Sequence, residues 1–355
     1  MNHRHVLIDL KRAGHTAWFV GGAVRAALLG KAPKDFDICT SATPDEVKEI
    51  FPDSDFVGAH FGVSLVKTDS GPVEVATYRT EGAYSDHRRP DSVRFTDNVY
   101  EDLRRRDFRI NTILMDENGD VLDIFGGRKD LKAKIVKCVG SPNDRFSEDP
   151  LRMLRAIRFA CQLGFNIERD TLSAIHENAS GVHELSDERI QQELNRILLS
   201  GRSATVIRLM EKTDLLALIL PDVYALRNFE QNPLHHPEGD VLTHTVCLLK
   251  QLPKDCSLTL ALAALLHDAG KGRTLDTNQQ IGMPTFHGHE HHSAPMAEAI
   301  LRDLKYPNEV IEKVSSLCSQ HMRFSVVKEM RTSKLMRFIR QPDFAELLEL
   351  HRIDA

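Results

Sequence analysis

No apolar run in this sequence approaches the ~20 residues that a membrane-spanning helix needs. The opening Met1-Asn2-His3-Arg4-His5 has none of the apolar stretch of a secretory signal. Six cysteines are scattered without paired CxxC spacing, which argues against a zinc ribbon and fits reduced thiols in a cytosol. Positive charge in excess is also missing. A net charge of −5 does not by itself suggest a nucleic-acid binder, although local patches rather than the sum decide such contacts. What remains is a 355-residue chain, 41% hydrophobic and 27% charged, long enough for two or three domains with a sizeable core. The expectation is a cytoplasmic protein with no membrane partner.

The most informative stretch is Val20-Gly21-Gly22-Ala23-Val24-Arg25, followed by Asp35-Phe36-Asp37. It puts a glycine turn at the mouth of a helix, an arginine on that helix, and two carboxylates at i, i+2 on the next extended segment. A strand points alternate side chains to one face, so Asp35 and Asp37 are expected to project together. Two like charges this close repel unless a cation lies between them, and oxygen-only ligands suit Mg²⁺. Gly21 and Gly22 let backbone N–H groups approach a phosphate. Alone, a Gly-Gly pair is a turn and an Asp-x-Asp a solvated strand edge; their order and spacing favour a nucleoside triphosphate with its metal. The β-branched alternation of 72–78 predicts a strand that brings Glu74 in as a third carboxylate of a two-metal phosphoryl-transfer centre.

Charge is most uneven from Asp86 to Arg109, where Arg88, Arg89, Arg94, Arg104, Arg105, Arg106 and Arg109 crowd together. Residues 84–91 have no hydrophobic period and read as a long mobile loop. Farther on, Asp149 before Pro150 makes a helix start, with Asp at the N-cap and Pro at N1. Arg152, Arg155 and Arg158 recur every third residue along that helix. They read either as an exposed basic stripe or, for Asp149 and Arg152 one turn apart, as an acceptor and a planar donor fork facing a base edge. Spacing alone leaves both readings open.

These motifs, in this order, resemble those of bacterial class II tRNA nucleotidyltransferases, the CCA-adding enzyme and poly(A) polymerase family, over residues 16 to 200. The resemblance implies an α+β head with a small mixed sheet, followed by a helical neck and body. It implies that Gly21, Gly22 and Arg25 hold triphosphate and that Asp35, Asp37 and Glu74 form the catalytic carboxylates, with Mg²⁺ on the aspartates. Arg104-Arg105-Arg106-Asp107-Phe108 is similar to the second motif, which gives Arg106 and Asp107 contacts to nucleotide and ribose. Residues 125–131 resemble a hinge. Residues 148–152 resemble an amino-acid template in which Asp149 and Arg152 pair with the incoming base, with Arg155 and Arg158 as further nucleotide contacts. Residues 188–194 resemble the motif that braces the neck. An Asp and an Arg can satisfy C or A, whereas G or U would leave buried groups unpaired at roughly 1–3 kcal/mol each.

The pattern is departed from at Ala26, where Asp is common, at residues 108–112, and at Ile124, where Pro is common. None of these removes a ligand.

A further part follows from about residue 206. His244, in 240–245 ahead of an apolar helix, and the pair His267-Asp268 closing another, look like an HD domain, the metal-dependent phosphohydrolase fold. The resemblance implies His244, His267, Asp268 and Asp354 as ligands, with Ni²⁺ or Mn²⁺ suited to imidazole. Of His287, His289, His291, His292 and His321, most read as a surface His-rich loop. The chain stops one residue after Asp354 in mid-helical pattern, so a natural C-terminal tail is expected.

The expected division is a head over 1–145, a neck over 146–205 and an HD body over 206–355. The expected activity is addition of C, C and A to the tRNA 3′ end from CTP and ATP. Poly(A) polymerase and A-adding activity share all the motifs and stay open. The full-length stretch 81–95 argues against a CC-adding enzyme. A regulatory protein with a dead head would lack one of the intact carboxylates, and a phosphohydrolase that merely binds RNA would lack the intact template pair.

Overall fold

The computed structural model describes residues 2–33, 35–56, 62–82, 84, 90–278 and 282–355. It divides into two compact units: Met1–Ala156 with Leu163–Asn178, and Ile157–Gln162 with Ala179–Ala355. Residues 146–205, read above as a neck, are shared between them.

The first unit is built on a seven-stranded mixed sheet in the order Asp55–Phe56, Val63–Val66, Val73–Thr77, Asp37–Thr40, Ala17–Val20, Leu114–Met115, Val121–Leu122. The two central strands Asp37–Thr40 and Val73–Thr77 run parallel. Val73, Val75 and Thr77 are buried while Glu74 between them is exposed, so the period-two pattern read from sequence is the one that folds. Ala17–Val20 pairs antiparallel with Asp37–Thr40 and sets Val20 opposite Asp37. Val20, Cys39, Tyr78, Leu103 and Leu114 form a buried apolar cluster behind these strand ends, with Trp18, Val99 and Phe125 packed on it. The cluster fixes the strand ends from which the carboxylates project. In the 125–131 motif, a Cβ on Gly127 would overlap the Arg109 carbonyl oxygen, and the Gly127 N–H donates to Asp123 (2.9 Å). That glycine is required by close packing.

Beyond that sheet and three two-stranded ribbons, the ordered elements among the described residues are helices. In the second unit, Leu258–Leu266 is apolar all round, and every side chain from Leu260 to Leu266 is buried, as expected of a central helix. It packs on Val241–Gln251, Asn308–Gln320 and Phe344–Asp354, and its last turn delivers His267 and Asp268. The α+β head with a helical remainder is therefore as expected. Among the described residues no helix is long and apolar enough to cross a membrane.

Candidate active site

The turn into the helix Gly22–Leu28 is made by Gly21, whose φ of 74° lies in the left-handed region. A Cβ there would lie 3.4 Å from the Asp37 carboxylate, so the turn rests against that side chain. Parallel register sets Asp37 beside Glu74. Neighbours in register share a face, which puts the third expected carboxylate next to the second. Asp35 departs from expectation. It lies in a bend ahead of the strand, not on it, so strand alternation does not align it with Asp37. Its charge nevertheless reaches Asp37, whose pKa is raised by partial burial and by Asp35 against the pull of Arg106. Glu74 keeps an exposed edge, yet loss of solvation and the charge of Asp37 raise its pKa too, again against Arg106. Carboxylates that crowd one another beside a single guanidinium make a site short of positive charge, and their oxygen donors fit Mg²⁺.

The arginines are held by carboxylates, of which Asp102 and Glu81 were not singled out from the sequence. Asp102, 1% exposed, accepts from Arg105 (2.6 Å) and from Arg106 (3.0 Å), while Glu81 accepts from Arg105 at 2.9 Å. Asp107 is buried and accepts from Arg155 at 2.9 and 2.6 Å. Its other oxygen accepts from Asn111 (2.9 Å), whose carbonyl oxygen accepts from Arg25. Arg25, Asp107 and Arg155 are thus one hydrogen-bonded chain. Arg152 donates to Glu148 (2.5 Å) and to the backbone oxygens of Arg145 and Arg105 (both 3.2 Å). Asp149 accepts from the Leu151 N–H at 3.1 Å, which is the cap expected at the start of Leu151–Leu163.

Arg158 is committed elsewhere. Its guanidinium is buried on Glu193 (2.6 Å), which also accepts from Arg196 at 2.7 Å. The reading of Arg152, Arg155 and Arg158 as an exposed stripe therefore fails, since none of the three is exposed. Arg88, Arg89 and most of the 84–91 loop lie outside the described residues. The flanks of that loop pair as strands Arg79–Glu81 and Val93–Phe95.

In the second unit, His244 lies within the helix Val241–Gln251 rather than ahead of it, one turn after its N-cap Asp240. Its Nε2 is 2.9 Å from Asp354 and 3.8 Å from Asp268. His267 Nε2 is 3.2 Å from Asp268 and 3.5 Å from Asp354. All four expected ligands therefore meet. Two of the remaining histidines join them. His289 and His321 are buried beside Asp268, whereas His287, His291 and His292 are exposed; of these only His287 lies in a turn, His291 and His292 falling in the first turn of the helix Glu290–Asp303 rather than in the expected loop. Burial opposes charge on His267, but Asp268 and Asp354 raise its pKa to about 10. Burial and the charge of His267 lower His321 to about 4. Lys271 sits 2.7 Å from Asp268. Imidazoles and carboxylates converging in a buried pocket suit a transition metal.

Residues 17–137 match the poly(A) polymerase head domain, 164–226 the probable RNA and SrmB-binding site of polymerase A, and 240–349 the HD domain. Part by part, the chain is thus similar to a poly(A) polymerase head, a polymerase A RNA-binding site and an HD domain. The CCA-adding enzyme of Geobacillus kaustophilus (strain HTA426) is 45% identical over 214 residues, 60% of this chain and 53% of that protein. That of Ligilactobacillus salivarius (strain UCC118) is 45% identical over 194 residues, 55% of this chain and 48% of that protein. The chain thus spans about half the length of the curated relatives it matches. The solved Bacillus stearothermophilus CCA-adding enzyme in complex with CTP has a TM-score of 0.74 at 28% identity, over 99% of this chain and 78% of that one.

The hydrogen-bonded chain through Asp107 yields a test. Burial opposes its ionisation, but Arg155 and Asn111 prevail and lower its pKa from 3.8 to about 2. A depressed carboxylate contributes stability above its unfolded pKa and loses it as pH falls toward the folded one, here about 2 kcal/mol in all. The stability gap between wild type and Asp107→Asn, measured by urea unfolding, should be about 1 kcal/mol smaller at pH 3 than at pH 6. A gap constant over that range would refute the assignment.

Proposed function

We propose that this chain adds C, C and A to the 3′ end of tRNA from CTP and ATP. The observation that carries the reading is the registered pair Asp37 and Glu74, with Asp35 and Arg106 within electrostatic reach, at the mouth of the Gly21 turn. Asp35 and Asp37 would hold Mg²⁺, with Glu74 completing the carboxylate set. When bound, that ion supplies charge neutralisation at the transferring phosphorus. Gly21, Gly22 and Arg25 would hold the triphosphate. The primer 3′-hydroxyl oxygen attacks the α-phosphorus, pyrophosphate leaves, and the hydroxyl proton passes to the carboxylates or to solvent.

Arg106 and Asp107 would meet nucleotide and ribose, with Arg155 as the group that positions Asp107. Asp149 and Arg152 would read the base edge; the backbone oxygens and Glu148 that hold Arg152 support a fork fixed in direction. For Arg158 the buried pair with Glu193 favours a bracing role over nucleotide contact. We read the parts as a head over 1–145, a neck over 146–205 and an HD body over 206–355. The HD centre of His244, His267, Asp268 and Asp354 supports a second, metal-dependent phosphohydrolase activity, with Ni²⁺ or Mn²⁺ as the suited ions.

Extending a tRNA that ends at the discriminator base with each nucleotide singly and together, then sequencing the products, separates CCA addition from poly(A) and A addition. In that assay Asp35→Ala or Asp37→Ala should abolish incorporation of both CMP and AMP while leaving tRNA binding nearly intact. Substantial turnover in either variant would sink the metal assignment.

Asp149→Ala or Arg152→Ala should erode discrimination against UTP and GTP by about tenfold or more, the worth of one lost hydrogen-bonded contact. Wild-type nucleotide choice in both would leave only the cap role for Asp149.

His267→Ala should remove hydrolysis of 2′,3′-cyclic or terminal phosphates on RNA ends and keep nucleotide addition. Absence of any such hydrolysis by the wild type with Ni²⁺, Mn²⁺ or Mg²⁺ would make the HD part a tRNA-holding scaffold.

A further inference from the structure

Asp35 has no strand to align it, and little else fixes the bend it occupies. Among the described residues, Asp35 and Phe36 take part in no hydrogen bond or ion pair. What the bend has is the Phe36 ring. That ring is stacked on His3, with centroids 3.6 Å apart and planes 8° from parallel. Phe19 meets it edge-on at 5.5 Å and meets His3 edge-on at 5.8 Å. The three rings thus form a closed cluster of one stacked and two edge-on contacts, worth more than their buried area alone.

Both walls of the cluster are anchored. Phe19 is 7% exposed, on the strand Ala17–Val20. His3 opens the helix His3–Arg12, which buries Val6, Leu7 and Leu10. The N-cap Asn2 accepts from the backbone N–H groups of Arg4 (3.1 Å) and His5 (3.2 Å), so the first turn is closed rather than frayed. Among the described residues the His3 ring makes no hydrogen bond, and its flat face is what it offers Phe36. Phe36 is joined directly to both aspartates. Asp37 is held by its strand and by register with Glu74, whereas Asp35 is held through Phe36 alone.

We propose that His3 is a positioning residue for the metal site of the head. Its stack on Phe36 fixes the bend that keeps Asp35 within reach of Asp37. The proposal rests on the reading of Asp35 and Asp37 as Mg²⁺ ligands. A bend without hydrogen bonds samples several conformations once its ring is released. A site that is competent for only a fraction of the time binds more weakly by that fraction. One aromatic pair shifts such an equilibrium by roughly two- to tenfold. The Asp149–Arg152 pair and the Arg25 chain use other side chains, so the shift falls on the metal.

The test compares wild type, His3→Ala, His3→Phe, Phe36→Leu and Asp35→Ala as full chains. One readout is the Mg²⁺ concentration that half-saturates CMP addition at saturating tRNA and CTP. The other is Mn²⁺ binding to the free protein by electron paramagnetic resonance, where the binding that Asp35→Ala removes marks the site of the head. His3→Ala should raise the half-saturating Mg²⁺ and weaken that Mn²⁺ binding about threefold or more, with KM for tRNA unchanged. Phe36→Leu, which keeps apolar bulk and removes the flat ring, should do the same if His3→Ala fails to fold. His3→Phe should restore both readouts. A role in stability alone would lower activity without moving the metal dependence. Wild-type metal dependence in His3→Ala and Phe36→Leu, with Asp35→Ala still losing the ion, would overturn the positioning role and leave the metal reading standing. Unchanged metal binding in Asp35→Ala would overturn both.

Discussion

Asp107 accepts two hydrogen bonds from Arg155 and one from Asn111, and through Asn111 it holds Arg25. An ionised carboxylate only accepts, and at this burial it is stable only because those donors surround it. The arrangement joins a helix that follows the first strand, the turn after Arg106, and the helix Leu151–Leu163. Residues far apart in sequence are set in one geometry by one side chain. Asp102 does the same for Arg105 and Arg106, and Glu148 for Arg152. A guanidinium already fixed at one edge loses little freedom when a phosphate or base meets another. A chain of net charge −5 can present cationic side chains to a polyanion in this way, with the acidic residues as their mounts.

How much of this was legible depends on how local the signal was. The Gly21 turn, the strand bearing Glu74 and the cap at Asp149 are set by neighbours along the chain, and each was readable there. The register of Asp37 against Glu74 is not local, but two strands ending on one apolar cluster have few other pairings. Asp35 shows the limit, because a period-two rule extended two residues past the strand assigned an alternation that the bend breaks. Asp102, Glu81 and Glu193 were missed for a different reason. A buried carboxylate facing an arginine looks, in sequence, like any other surface acid, and only the fold shows which acids are inside. The same blindness made Arg152, Arg155 and Arg158 resemble a solvated stripe.

The histidine centre divides along the same line. His267-Asp268 could be read because an acid beside a histidine at the end of so apolar a helix has no packing explanation. His289 and His321 come from other helices and differ from their exposed neighbours only in direction. What distinguishes them is the Nδ1 anchor, a contact to a backbone carbonyl three residues earlier that no composition rule encodes.

The two sites also differ in kind. The head offers carboxylate oxygens, which suit a hard ion that keeps much of its water. The second unit offers mostly imidazole nitrogen among buried side chains, which suits ions higher in the transition series. Donor chemistry alone separates the two: imidazole nitrogen has little to offer a hard ion, and carboxylate oxygen alone has little to offer a softer one. Which donor atoms each unit offers is set by which side chains its fold turns inward.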